Sequence, residues 1–164
     1  MRKIAILFAF ATVACGAQGD SAPQTVEQAE VINNSPASIA EARFAESLEI
    51  NLADFQSNES GLYWRDVVVG EGAVVEAGQV VSANYTGWLP DGTEFDSSRG
   101  RAPISFPVGA GRVITGWDTG LLGMRVGGTR QLIIPAQLGY GAAANGPIPA
   151  NATLVFTVEV VSVQ

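Results

Sequence analysis

The alternation of apolar and polar positions changes along the chain, and each change marks an element. From Thr153 to Val163 the period is two, with Leu154, Phe156, Val158 and Val160 on one side and Val155, Thr157, Glu159 and Val161 on the other. That is the repeat of a strand, and a single inward apolar row predicts an antiparallel sheet packed on one face. Gln79 to Leu89 alternates in the same way, with Val81, Ala83 and Tyr85 set against Ser82, Asn84 and Thr86. Leu62–Val69, Ile104–Val108 and Thr129–Ile134 are shorter strands, stopped by Gly70-Glu71-Gly72, Gly109-Ala110-Gly111 and Pro135. Pro90-Asp91-Gly92 predicts a turn, from which Thr93–Ser98 departs. The segment Val113–Leu122 departs from this pattern: it carries Trp117 beside Asp118 and reads as a short helix whose indole must be buried against a sheet. Together these elements predict an α+β fold, a curved antiparallel sheet of about five strands around one short α-helix, with Trp117 at the floor of an apolar cleft. Leu138 to Pro149 is a long irregular loop whose path is set by its glycines and prolines.

The chain before residue 57 follows other rules. Met1-Arg2-Lys3 is basic, and Ile4–Val13 is apolar. That run is too short for a membrane-spanning helix, which needs about 20 apolar residues, and it fits an export signal. Thr12-Val13-Ala14-Cys15-Gly16 resembles a bacterial lipoprotein box, although Thr12 stands where a branched aliphatic residue is usual. On this reading residues 1–15 are a signal peptide and Cys15 is lipidated, so that an N-terminal lipid alone holds the protein in the bacterial cell envelope. The alternative is a soluble periplasmic or secreted protein with Cys15 removed or left free. Residues 16–56 read as a flexible linker rich in Ala, Gln, Glu, Ser and Pro. Ser38 followed by Glu41 is a capping-box pattern that predicts a short helix, and Ile50, Leu52 and Phe55 can dock on the domain. Residues 57–164 are the compact domain.

Charge and composition narrow the chemistry. The formal net charge is -7. Loss of Arg2 and Lys3 with a leader takes it from -7 to -9. Such a surface repels nucleic acid. The chain has no histidine and one cysteine, which excludes an internal disulfide, Cys/His zinc sites, and Ser–His or Cys–His catalysis. Lys3 is the only lysine, so Gly109-Ala110-Gly111 has no phosphate-binding lysine beside it.

Several pieces, in order, resemble the FK506-binding (FKBP-type) peptidyl-prolyl cis-trans isomerases. They are Tyr85-Thr86-Gly87, Asp91-Gly92-Thr93-Glu94-Phe95-Asp96-Ser97-Ser98, Val113-Ile114-Thr115-Gly116-Trp117-Asp118, Val126-Gly127-Gly128, Leu138-Gly139-Tyr140-Gly141 and Ile148-Pro149-Ala150-Asn151-Ala152-Thr153-Leu154-Val155-Phe156. The resemblance runs over roughly residues 60 to 163. It implies catalytic positions at Asp96, Tyr140, Ile114 and Tyr85. It implies substrate-binding positions at Phe95, Arg101, Ile104, Phe106, Val113, Trp117, Ile148 and Phe156. The chain departs from the family pattern at Ile104, where many members carry an aromatic ring, and at Arg112, where an acidic residue or glutamine is common. The 142–149 loop is about one residue shorter than in the best-known single-domain form, with Asn145 and Pro147 in it.

The resemblance implies a proline ring seated on Trp117, with the Ile114 N–H and the Tyr140 hydroxyl donating to substrate carbonyls. Asp96 then interacts with the twisted carbonyl or holds the pocket tyrosine and Arg101, and the sequence does not choose between these. No cofactor or metal is needed for a bond rotation. The implied partners are proline-containing segments of exported proteins as they fold, and a macrolide resembling FK506. The competing readings are a holding module with weak catalysis and a tethered interaction domain. No long amphipathic helix precedes the domain, so a monomer is expected.

Overall fold

In the computed structural model, residues 39–40 and 42–164 are described. The leader, Cys15, the capping-box residues Ser38 and Glu41, and most of the linker lie outside them. Seven antiparallel strands form one sheet: β1 (Gln56–Ser57), β2 (Tyr63–Val68), β3 (Val80–Trp88), β4 (Glu94–Ser97), β5 (Ile104–Pro107), β6 (Thr129–Ile134) and β7 (Leu154–Val163). The order is β1-β2-β6-β7-β3-β4, with β5 also on β3. The predicted sheet of about five strands gains β1, whose two residues are too few for alternation to register, and β4, which was read only as the chain leaving the Pro90-Asp91-Gly92 turn. The helix α1 (Thr115–Gly120) follows β5.

β7 is the centre of the sheet, paired with β3 over Val155–Val163 and with β6 over Leu154–Glu159. Its Leu154, Phe156, Val158 and Val160 join Leu132, Ile134, Val81 and Trp117 in one core. The α1 sequence Thr-Gly-Trp-Asp-Thr-Gly is a poor helix former, so packing must hold it. Gly116 and Gly120 supply the close approach. A Cβ on Gly116 would lie 2.5 Å from Ile134 Cγ2, and one on Gly120 2.9 Å from Leu132. Arg130 binds the far end of the helix, its guanidinium donating to Gly120 O at 2.8 Å and Leu122 O at 3.2 Å. A cation there complements the exposed carbonyls. The same guanidinium pairs with Asp66 on β2 through Nε at 2.6 Å and a second nitrogen at 3.0 Å, so one side chain joins helix, β6 and β2.

The sheet is not packed on one face alone, as its single apolar row predicts. Ile133 and Val155, which point away from Trp117, are fully buried. On that side Gln131 donates to Leu48 O at 3.0 Å, and Leu48 is buried in a 3-10 turn at Glu46–Leu48. Ala45 donates to Pro90 O at 2.8 Å. Arg65 bonds Glu49 O at 3.2 Å and lies over the Phe55 ring at 5.1 Å. Part of the span read as linker is therefore docked on the sheet, and Ile39 and Leu48, rather than Ile50, Leu52 or Phe55, are its buried residues. Ile39 is helical and Ala40 a turn, residues 42–45 are not helical, and a 3-10 turn follows at Glu46–Leu48.

Candidate functional site

A cleft of about 430 Å³ opens beside α1. Its lining comes from separate parts of the chain. β3 supplies Tyr85, β4 supplies Phe95 and Asp96, β5 supplies Ile104, β7 supplies Phe156 and α1 supplies Trp117. Val113 and Ile114 come from the run into the helix, and Tyr140 and Ile148 from the loop after β6. Arg112, Asn145, Gly146 and Pro147 complete the rim. Ten of the positions implied by resemblance thus meet at one opening.

The rings are set edge to face. Trp117 lies 5.1 Å from Tyr85 at 82° and 5.3 Å from Phe156 at 83°. Phe95 meets Phe156 at 5.4 Å and 88°. Each such contact is worth about 0.5–1.5 kcal/mol beyond its buried area, so the walls are stiff. Gly87 makes room for them, since a Cβ there would lie 2.6 Å from Phe95 and 2.7 Å from Phe156. Trp117 is 3% exposed, yet its ring forms part of the cleft wall. Its indole N–H is buried with no hydrogen-bond partner among the described residues.

Phe106 and Arg101 stand differently from the other positions. Phe106 pairs with Val81 on β3, whereas Ile104 pairs with Ala83, nearer Tyr85. Phe106 therefore packs against the indole at 5.6 Å and supports it without lining the opening. Arg101 donates to Asp96 Oδ1 at 2.7 Å and also to Ser97 O. Asp96 accepts in addition from Ser97 N at 2.9 Å and, through Oδ2, from the Tyr85 hydroxyl. Both carboxylate oxygens are thus held by protein donors. The Tyr85 bond, ahead of the Arg101 contact, keeps Asp96 below its usual carboxylate range. Burial and the Asp96 bond push Tyr85 up to about 12. Tyr140 is raised too, first by burial and then by the Asp96 charge. In neutral solution the site therefore holds one carboxylate and two neutral phenols.

Two donors at the cleft are unspent. Ile114 is the residue before the first turn of α1, and its carbonyl accepts from Trp117 and Asp118. Among the described residues its N–H meets no protein acceptor, as expected at a helix start. The Tyr140 side chain is likewise without a protein partner among the described residues and is 40% exposed. The loop that carries it is tied by Gly141 N to Ala136 O at 2.8 Å and by Asn145 N to Ile148 O at 2.9 Å. Ile148, 5% exposed, anchors an otherwise open stretch. Among the described residues no cluster of His, Cys, Asp or Glu is suited to a metal ion, and no described helix is long and apolar enough to cross a membrane.

Asn145, Gly146 and Pro147 were not among the implied site residues. They have no chemistry of their own to mark them, and the tight Asn145–Ile148 turn brings them to the rim. Arg112 was visible only as a departure in charge.

The family model described as FKBP-type peptidyl-prolyl cis-trans isomerase matches residues 72–161. The chain is 48% identical over 105 residues to an FK506-binding protein of Neisseria meningitidis serogroup B, covering 63% of this chain and 96% of that one. It is 46% identical over 123 residues to an FK506-binding protein of Streptomyces anulatus, covering 71% and 99%. Among solved structures, AtFKBP13 matches with a TM-score of 0.63 and 39% identity, over 66% of this chain and 97% of that one. FkpA from Escherichia coli matches with a TM-score of 0.63 and 39% identity, over 73% and 55%.

Proposed function

The chain belongs to the family of FKBP-type peptidyl-prolyl cis-trans isomerases, and from that premise we propose how its cleft works and where. The reaction is rotation about an X-Pro amide. Conjugation makes that rotation cost about 18–20 kcal/mol and take tens of seconds unaided. The twisted amide has lost its conjugation and is less polar than the planar one. A dry aromatic cleft therefore favours it over the ground state, and only such differential binding speeds a reaction.

The pyrrolidine ring sits on Trp117, between Tyr85, Val113 and Phe156. The Ile114 N–H and the Tyr140 hydroxyl donate to substrate carbonyls and hold the peptide while one bond turns. Asp96 is a positioning residue: its oxygens are occupied by Tyr85, Arg101 and Ser97, and it keeps the Tyr85 ring edge-on to Trp117. No proton moves in the rotation, so a chain without histidine lacks nothing needed for it. The observation that carries this reading is a cleft of about 430 Å³ with Trp117 in its wall and two unspent donors beside it.

The basic, then apolar, start of the chain supports export, and Cys15 in its box supports a lipid anchor in a bacterial envelope. The clients are then exported proteins with proline bonds still to isomerise. Tyr85, Trp117 and Phe156 also offer an aromatic seat for an FK506-like macrolide. The isomerase unit is assigned to residues 57–164, and the protein to a monomer.

An X-Pro peptide exchange assay tests the mechanism, by NMR or by a protease that cleaves only the trans form. Acceleration by micromolar protein, reduced about tenfold or more in Trp117→Leu, is expected. No acceleration would sink it. Mass measurement of the mature chain tests the anchor, and a first residue other than a lipid-bearing Cys15 removes it.

A further inference from the structure

The charges at the cleft are unequally spent. Asp96 is neutralised by Arg101 at 2.7 Å and further held by Tyr85. Arg112 lines the cleft itself, is exposed, and has no carboxylate partner among the described residues. The other rim residues on the loop side, Asn145, Gly146 and Pro147, carry no charge. The opening therefore holds an unpaired cation, although the whole chain has a formal net charge of -7.

The backbone that bears Arg112 is held in place. Asp118 on α1 accepts from Gly109 N at 2.8 Å and from Gly111 N at 2.9 Å. Gly109 and Gly111 take φ values of 78° and 65°, which suit glycine. Arg112 thus lies between a clamped loop and Ile114, which lines the same cleft and whose N–H has no protein acceptor among the described residues. Its planar guanidinium suits a carboxylate in a two-bond fork.

We propose that Arg112 sets substrate preference: X-Pro segments with an Asp or Glu next to the proline are turned over faster than those with Lys or Arg there. This rests on the isomerase reading above. An extended chain advances about 3.3–3.6 Å per residue, so a long arginine beside the proline seat reaches the neighbouring side chains. The negative surface as a whole opposes an acidic peptide, but at 0.15 M salt that repulsion fades over about 8 Å. At contact distance Arg112 dominates.

The test uses peptides that differ only in Glu or Lys immediately before or immediately after proline, with an Ala-Pro control, at 0.15 M salt. An exposed ion pair contributes on the scale that gives about a two- to fivefold ratio of kcat/KM. The Glu peptide should win by that ratio at one of the two positions. Arg112→Lys should keep the order, and Arg112→Glu should invert it. Equal rates for Glu and Lys at both positions, or the same ratio in wild type and Arg112→Glu, would overturn the proposal while leaving the isomerase intact. Failure of wild-type protein to accelerate the Ala-Pro control would instead overturn the reading beneath it.

Discussion

The two faces of the sheet bury comparable side chains to different ends. On the inner face, Leu132, Ile134, Leu154 and Phe156 pack with α1, and the aromatic rings leave one wall open. On the outer face, Ile133 and Val155 are fully buried, but Gln131 and Arg65 tie the covering segment down by polar bonds to Leu48 O and Glu49 O. Burial by itself does not distinguish them. The inner face becomes a site because stiff rings stop short of filling the space above Trp117, while two donors remain unspent at its edge. On the outer face the covering segment leaves a smaller hollow of about 210 Å³ beside Leu48, Arg65 and Trp88, and the Leu48 and Glu49 carbonyls there are already taken.

The largest expected effect comes from removing the inner floor. Trp117→Ala should lower stability by about 3–5 kcal/mol, the usual cost of deleting a buried indole, and reduce kcat/KM more than tenfold. Urea unfolding with an unchanged slope, beside the exchange assay, checks both. A variant that kept full activity would place the chemistry elsewhere.

Leu48→Ala is the matching cut on the outer face. Leu48 shares the burial of the described stretch ahead of β1 with Ile39, so the loss should be near the low end of a buried Leu→Ala change, about 2 kcal/mol. kcat/KM at a temperature where the protein stays folded should not change. A drop in kcat/KM of several-fold would mean that the two faces are coupled through β6 and β7, and the contrast would fail.

The smallest effects concern the Tyr85–Asp96 pair. Asp96 has a lowered folded value; its stabilisation is present above the ordinary carboxylate pKa of about 4 and is lost as pH falls through the lowered one. Tyr85 is raised to about 12; its share is full below the ordinary value of about 10 and is lost as pH rises from there through the folded value. Activity should therefore be flat between about pH 5 and pH 9, and a midpoint inside that window in a pH–rate profile would contradict the assignment. Tyr85→Phe should cost about 1 kcal/mol. Because the Tyr85 bond is the largest cause of the lowered value, it should also move Asp96 upward in a carboxyl NMR titration.

Legibility in the sequence followed the range of the interactions. β3 and β7 were readable because their alternation is local and long enough to repeat, and β2, β5 and β6 because glycine turns or Pro135 mark their ends. β1 was too short, β4 was legible only as the chain leaving a turn, and the outer covering was hidden because the pattern around Ile133 and Val155 does not say what lies opposite. Nine of the cleft positions lie in the ordered motifs, and Ile104 could be named from the resemblance between them. Phe106 could be named but not placed, since its register against Val81 rather than beside Tyr85 depends on how β5 meets β3.

Periodicity and the lone indole in a short segment were enough to determine an antiparallel sheet and a small helix, and the missing histidine excluded Ser–His and Cys–His catalysis, because each depends on near neighbours or on composition. Only the tertiary structure decided that Gly116 and Gly120 seat the helix on Ile134 and Leu132, and that Asp96 is held by Tyr85 and Arg101. It also decided that Arg112 stands at the cleft with no carboxylate partner among the described residues. These depend on which distant residues come within a few ångströms, and the order of residues along a chain does not specify that separation until the sheet has closed around its helix.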